Sequence, residues 1–195
     1  MGLQELRLIK PDVGMEEAYV GFRQEWLDKG EANMPTVLQE DASDFAALVA
    51  RLEAAEQGAG LPDGWVPYST YWLVSGGGRI LGVVTIRHRL NSFLNHIGGH
   101  IGYGIRPAER GKGYAVRMLA LALPEAKKLG LERVLVTCDA TNTASERTIR
   151  RNGGVEDIPT ARRGNGNERG HEDRDGDGNG DADGVTKRFW IDLRS

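Results

Sequence analysis

Hydrophobic positions along the chain follow two different periods, and the places where the period changes outline the elements. Leu6 to Ile9 is a short apolar-rich stretch that reads as a strand, ended by Pro11. From Met15 to Asp28, Tyr19, Phe22 and Trp26 fall at helical spacing, and from Asp41 to Gln57 so do Phe45, Leu48, Val49 and Leu52. Both segments are expected to be amphipathic helices. Residues 71–88, YWLVSGGGRILGVVTIRH, read as a hairpin of two β-rich runs joined across Gly76, Gly77 and Gly78. GGHIGYGIRP comes next as a further strand, stopped by Pro107.

A glycine-containing loop, ERGKG, then opens a helix that runs to about Leu129 and ends at Gly130. LERVLVTCD is nearly continuously apolar, as expected of a strand covered on both faces. Asn142 is placed to cap a short helix that stops at Gly153, and TKRFWIDL is a last strand. This order predicts an α+β fold with a mixed sheet. Pro124 falls inside the helix after the loop, where it removes one backbone hydrogen bond and should kink or shorten it.

Composition changes the picture at one place. Residues 162–184 hold seven glycines, seven acidic and four basic residues, with Ala182 as the sole apolar side chain. Such a segment cannot offset the entropy of ordering, so a disordered loop is expected within a single 195-residue domain. Asp173, Asp175, Asp177, Gly178 and Asp181 imitate the start of a calcium loop, but Gly184 stands where its closing glutamate belongs. No metal is expected. A net charge of −3 gives no overall pull toward nucleic acid or an anionic membrane. The single cysteine, Cys138, excludes an intrachain disulfide framework. No apolar run approaches a membrane span, and the first residues lack a signal-peptide core, so a cytoplasmic location is expected.

The loop carries the candidate chemistry. Arg110, Gly111, Lys112, Gly113, Tyr114 and Ala115 form a nest of backbone N–H groups at the positive end of a helix dipole, suited to a pyrophosphate held without metal. A phosphate-binding P-loop would need GxxxxGK[ST], and a dinucleotide fingerprint a third glycine where Val116 stands. A strand-to-helix turn that binds nothing would also account for an isolated GxG.

The stretch from Gly98 to Gly154 resembles the core of the GNAT superfamily of acetyl-CoA-dependent N-acetyltransferases. Arg110, Gly113 and Ala115 match its loop pattern. Ile105 and Pro107 match the strand end before it, and Asn142, Ser145 and Gly153 match a second signature. The resemblance implies a mostly antiparallel sheet flanked by helices, with two strands splayed around acetyl-CoA. It places the pyrophosphate on residues 111–115, the thioester near the Ile105 backbone and the pantetheine amides near Asn142. Gly98, Gly99, Gly102 and Gly104 would let the cofactor arm approach the strand.

Acetyl transfer to an amine needs a neutral nucleophile, a stabilised oxyanion and a proton for the thiolate. Family members often take that proton from a tyrosine at the position of Ile149, so that role is vacant here; Tyr103 and Tyr114 are alternatives. His88, His96 and His100 cluster in sequence, and His100, as a near-neutral imidazole on the cofactor strand, is the candidate general base. Cys138 is expected to be an inert core thiol. Trp65, Tyr68, Tyr71 and Trp72 are candidates for the walls of an acceptor pocket. The expected function is acetylation of a small-molecule or peptide amine by a monomer or homodimer. A catalytically weak acyl-CoA sensor or partner-binding module of the same fold is the alternative.

Overall fold

The computed structural model describes residues 5–157 and 186–194. The Asp/Gly-rich segment and its calcium-loop imitation lie outside the described residues. The chain begins with β1 (Leu6–Ile9), which Pro11 closes, and continues into α1 (Glu16–Lys29). A single turn, α2 (Thr36–Gln39), precedes α3 (Phe45–Glu56), whose first turn is capped by Asp44 accepting from the Ala47 N–H at 2.9 Å. The hairpin forms as β2 (Tyr68–Ser75) and β3 (Ile80–Arg87), and a short helix, α4 (Ser92–His96), leads to β4 (Ile101–Ile105). After the glycine loop come α5 (Tyr114–Lys128), β5 (Arg133–Asp139), α6 (Thr143–Arg151), β6 (Val155–Glu156) and β7 (Thr186–Asp192).

The strands make two antiparallel sheets, ordered β1-β2-β3-β4 and β5-β7-β6. The four-stranded sheet is buried on both faces, because β2 and β3 carry apolar side chains on both sides. On one face Tyr68, Trp72, Val74 and Val83 pack against Tyr19, Phe22 and Trp26 of α1 and Phe45, Leu48 and Leu52 of α3. The rings of Tyr19 and Trp72 lie 5.2 Å apart. On the other face Leu73, Leu81, Val84 and Ile86 meet Met118, Leu119, Ala122 and Ala126 of α5. That second core continues into Val134, Val136, Phe189 and Ile191, so one apolar body ties the two sheets together.

Several expectations need correction. Of the two effects expected of Pro124, shortening does not occur, and the helix runs on to Lys128, at its expected end. Pro124 and Ala120, whose carbonyl loses its partner, are both on the exposed face, where water can serve that carbonyl. The strand expected from Gly98 starts only at Ile101, since Gly98 and Gly99 sit at φ +98° and +61°, outside strand geometry. Two of its glycines serve protein packing rather than a ligand. A Cβ on Gly99 would collide with the Leu135 carbonyl oxygen, and one on Gly104 would lie 2.5 Å from Pro35 Cγ and 2.9 Å from the Trp26 ring. Gly102 is different, with nothing closer than 3.7 Å to such a Cβ.

The two sheets are joined at one vertex. The His100 N–H donates to the Leu135 carbonyl at 2.7 Å, and the Leu135 N–H donates back to His100 Nδ1 at 2.9 Å. The Gly98 N–H adds a bond to Thr137 Oγ1 at 2.9 Å. Beyond His100, no ladder of the described residues joins β4 to β5. The strands therefore part toward the ends from which the glycine loop and α6 leave.

His100 is 6% exposed, and burial, reinforced by the positive charges of Arg87 and Arg133, pushes its pKa down to about 4. The expected near-neutral base is thus not what the fold builds. With Nδ1 accepting a backbone N–H, the ring proton resides on Nε2, and the imidazole has no lone pair left to take a proton.

This packing is open to two stability measurements. Gly104→Ala should lower stability by about 1–3 kcal/mol in urea titrations, as overpacking does, whereas Gly102→Ala should change it by no more than about 0.5 kcal/mol. For His100 the folded state binds its proton more weakly than the unfolded chain. Its contribution is therefore complete above pH about 6.5 and is lost as pH falls toward 4. His100→Gln should remove this component, leaving a flatter profile of urea midpoint against pH between 6.5 and 4. An unchanged slope would mean the imidazole titrates freely.

Candidate active site

The loop after β4 is held from below by a buried arginine. Arg106 is 7% exposed, and its Nε donates to Glu25 Oε1 at 2.7 Å. Its Nη1 and Nη2 donate to the carbonyls of Ile80 and Gly21, each at 3.0 Å, tying α1 and the hairpin to the exit of β4. A single 3₁₀ turn, Pro107–Glu109, then leads into the glycines. Gly111 and Gly113 take φ values of +76° and +81°, which other residues adopt only with strain. Gly113 is also the N-cap of α5, and no side chain caps that helix. The first-turn amides of a fifteen-residue helix thus face outward, at the positive end of its dipole.

The loop cations are both partnered. Arg110 Nη1 donates to Glu31 Oε1 at 2.7 Å while its guanidinium lies 4.6 Å from the centre of the Trp26 ring. Lys112 Nζ donates to Glu109 Oε2 at 2.8 Å. The Lys112 ammonium holds the Glu109 carboxyl below its ordinary range, and Arg110 does the same to Glu31. The charge added by Arg110 and Lys112 is therefore compensated locally, which leaves the backbone amides at the start of α5 as the loop's positive end. Tyr114 and Ala115 begin α5, half-buried against the second core.

At the other edge of the gap, Asn142 caps α6 as expected, its Oδ1 accepting from the Ser145 N–H at 3.0 Å. Ile149 is fully buried in the core. On β4, Tyr103 OH lies 2.8 Å from Ser145 Oγ, spanning the gap to α6, the helix that carries Ile149. Burial pushes the Tyr103 phenol up to about 12, so it keeps its proton at neutral pH. Ile105 closes β4, and its carbonyl accepts from Arg110 Nε at 3.3 Å. Cys138 is a buried thiol whose pKa is raised by burial, in keeping with an inert core residue.

The histidines do not form a cluster. His88 Nε2 sits 2.9 Å from Ser69 Oγ at the far end of the hairpin, and His96 Nδ1 is 2.7 Å from the Ser92 carbonyl within α4. His100 is at the vertex between the sheets.

A cavity of about 600 Å³ adjoins β4 on the side of α1 and α2. Its floor is Val83, Thr85 and Arg87 of β3 with Gly102 and Tyr103 of β4, and its walls include Trp65, Tyr68 and Phe93. Of the four aromatic residues expected there, Trp65 and Tyr68 are present. Trp72 is fully buried in the first core, and Tyr71 points to the other face, beneath Lys10 at 4.3 Å. Phe93 and the Asn33–Val37 segment were not legible in the sequence, since α4 and α2 are each too short to carry a period. Among the described residues no group of histidine, cysteine, aspartate and glutamate could hold a metal ion. Nor is any described helix long and apolar enough to cross a membrane.

Comparison with known proteins places this geometry. Mycobacterium smegmatis RimJ, in complex with CoA-disulfide, is 17% identical and superposes over 96% of this chain and 81% of its own, with a TM-score of 0.62. Microcin C7 self immunity acetyltransferase MccE, in complex with acetyl-CoA and AMP, is 16% identical over 96% and 92%, at 0.60. A chimera of spermidine N-acetyltransferase SpeG from Vibrio cholerae and hSSAT is 17% identical over 96% and 95%, at 0.58. These likenesses establish the fold. No curated protein sequence matches the chain. The model of the acetyltransferase (GNAT) domain matches residues 15–155, most of the chain, and the protein belongs to that family of acetyltransferases.

Proposed function

We propose that the protein transfers the acetyl group of acetyl-CoA to the amine of an acceptor seated in the cavity. The observation that carries this reading is the meeting of two spaces at one strand. The β4–β5 gap leads to the uncapped start of α5, and Gly102 and Tyr103 of β4 form part of the cavity floor. A pyrophosphate on the amides of residues 111–115 would direct the pantetheine arm down the gap, past Asn142 and Ser145, toward the end of β4 near Ile105. An amine in the cavity would then approach the thioester across β4.

Attack by the amine forms the C–N bond and breaks the C–S bond, and the thiolate needs a hydrogen-bond donor. Tyr103 supplies it in this reading. Its phenol is protonated at neutral pH and sits beside Ser145 on α6, the helix that bears Ile149 in place of the family's usual tyrosine. His100 acts through position alone, fixing where β4 and β5 begin to part. The amine's proton then passes to solvent at the mouth of the cavity. The cytoplasm is the location proposed for the protein.

Acetyl-CoA should raise the melting temperature of the wild-type protein by mass action. Gly113→Glu, which places a carboxylate and a disfavoured backbone angle at the anion site, should abolish that rise without unfolding the protein. A retained shift would exclude the loop as the anchor. Tyr103→Phe should keep the shift and lower kcat about 10²-fold with little change in KM for acetyl-CoA, measured as CoA release over an amine panel. If wild type binds acetyl-CoA and no amine elicits CoA release, the catalytically weak binding module is the correct reading.

A further inference from the structure

Arg87 closes β3 at the floor of the cavity, and its surroundings are unusual for a cation. Its Nη1 donates to the carbonyls of Gly98 and Gly99, both at 3.1 Å, which fixes the guanidinium plane against the turn before β4. No described residue accepts from Nε or Nη2, and no carboxylate of the described residues lies within ion-pair distance. Neither nitrogen is sealed off from solvent in that unpaired state. Burial depresses the pKa of the guanidinium, the cost of holding a charge in a partly desolvated site without a counterion. Gly102, opposite Thr85, leaves room beside it: a Cβ there would lie 3.7 Å from Nη1 and 3.8 Å from Nη2.

The other charges of the cavity do not neutralise it. Glu40 is already engaged, with Tyr68 OH donating to Oε1 at 3.3 Å and Arg51 Nε 3.7 Å from Oε2. Asp63 lies on the exposed rim with Gly64 and Trp65. What remains inside is a positioned guanidinium with its Nε and Nη2 donors unused, bordered by Tyr68, Trp65 and Phe93. A guanidinium edge with two parallel N–H donors matches the two oxygens of a carboxylate.

We infer that the acceptor is an amine that also carries a carboxylate, which pairs with Arg87 while the aromatic walls hold its apolar part. Resting on the acetyltransferase reading, this names its substrate class. A polyamine such as spermidine offers no anion to Arg87 and would add positive charge beside it, so it is disfavoured.

The test separates the acceptor from the cofactor. Binding of 3-phenylpropionate and of its neutral analogue 3-phenylpropionamide is titrated by NMR into the full-length protein carrying CoA. The acetyl-CoA melting shift is recorded on the same samples. The carboxylate should bind at least about 10-fold more tightly than the amide, the value of one charge-assisted bidentate pair. Arg87→Gln should erase that difference and Arg87→Lys should weaken it, both with the acetyl-CoA shift intact. In CoA-release assays, amino acids should outperform their carboxamides by a similar factor, and spermidine should be poor. Equal binding of acid and amide, a preference that survives in Arg87→Gln, or efficient turnover of spermidine would overturn the inference while leaving the acetyltransferase reading standing. Loss of the acetyl-CoA shift in wild type would instead overturn that reading. Should Arg87→Gln fail to fold, the Arg87→Lys arm and the acid–amide difference in wild type decide the matter.

Discussion

Everything about this site depends on a pair of hydrogen bonds between two sheets. The His100 backbone and ring clasp Leu135 from both sides, and β4 and β5 have no ladder beyond that point. Two strands left unpaired side by side would normally close, since buried N–H and C=O groups seek partners. Here they cannot, because each strand runs on into a segment that leads away from the other. β4 turns at Arg106, which is bonded to α1 and to the hairpin, while β5 passes into the Asn142 cap of α6. The gap is the consequence of anchoring three elements independently around one vertex.

The imidazole at that vertex shows how chemistry and architecture divide a residue type between them. A histidine on the cofactor strand has the right intrinsic pKa for a base, but a ring that must accept a backbone N–H in a buried joint gives up its lone pair. Its depressed pKa keeps it neutral, which is what a hydrogen-bond acceptor in an apolar joint requires. Tyr103 illustrates the opposite case. Burial raises its pKa, so the phenol retains its proton at neutral pH and can donate a hydrogen bond, the role proposed for it because Ile149 cannot serve.

The charges are distributed by a similar logic. Arg106 is buried with each of its guanidinium nitrogens bonded and so acts as structure, while Arg110 and Lys112 are half-exposed with carboxylate partners that a multiply charged ligand could displace at little cost. Arg87 alone among these sits in a partly enclosed space with no carboxylate partner among the described residues, and its proposed recognition role rests on that asymmetry.

The order of the long elements was legible in the sequence because each carries a period or a cap of its own: Tyr19, Phe22 and Trp26 mark one helix, Gly113 the start of another, and Asn142 and Gly153 the two ends of a third. The conformation of the glycine loop was legible for the same reason, since glycine position determines it locally. Beyond the reach of the sequence were features made by elements meeting. Gly99 and Gly104 are required by Leu135, Pro35 and Trp26, residues far away along the chain, so a strand rich in glycine could be read as making room for a ligand when it makes room for protein. His100 and Arg87 each have a suitable side chain for catalysis or structure, and only their partners decide which. Short-range sterics and hydrogen bonds set local conformation from the residues alone, whereas burial, pKa and the pairing of charges arise when distant segments exclude water together.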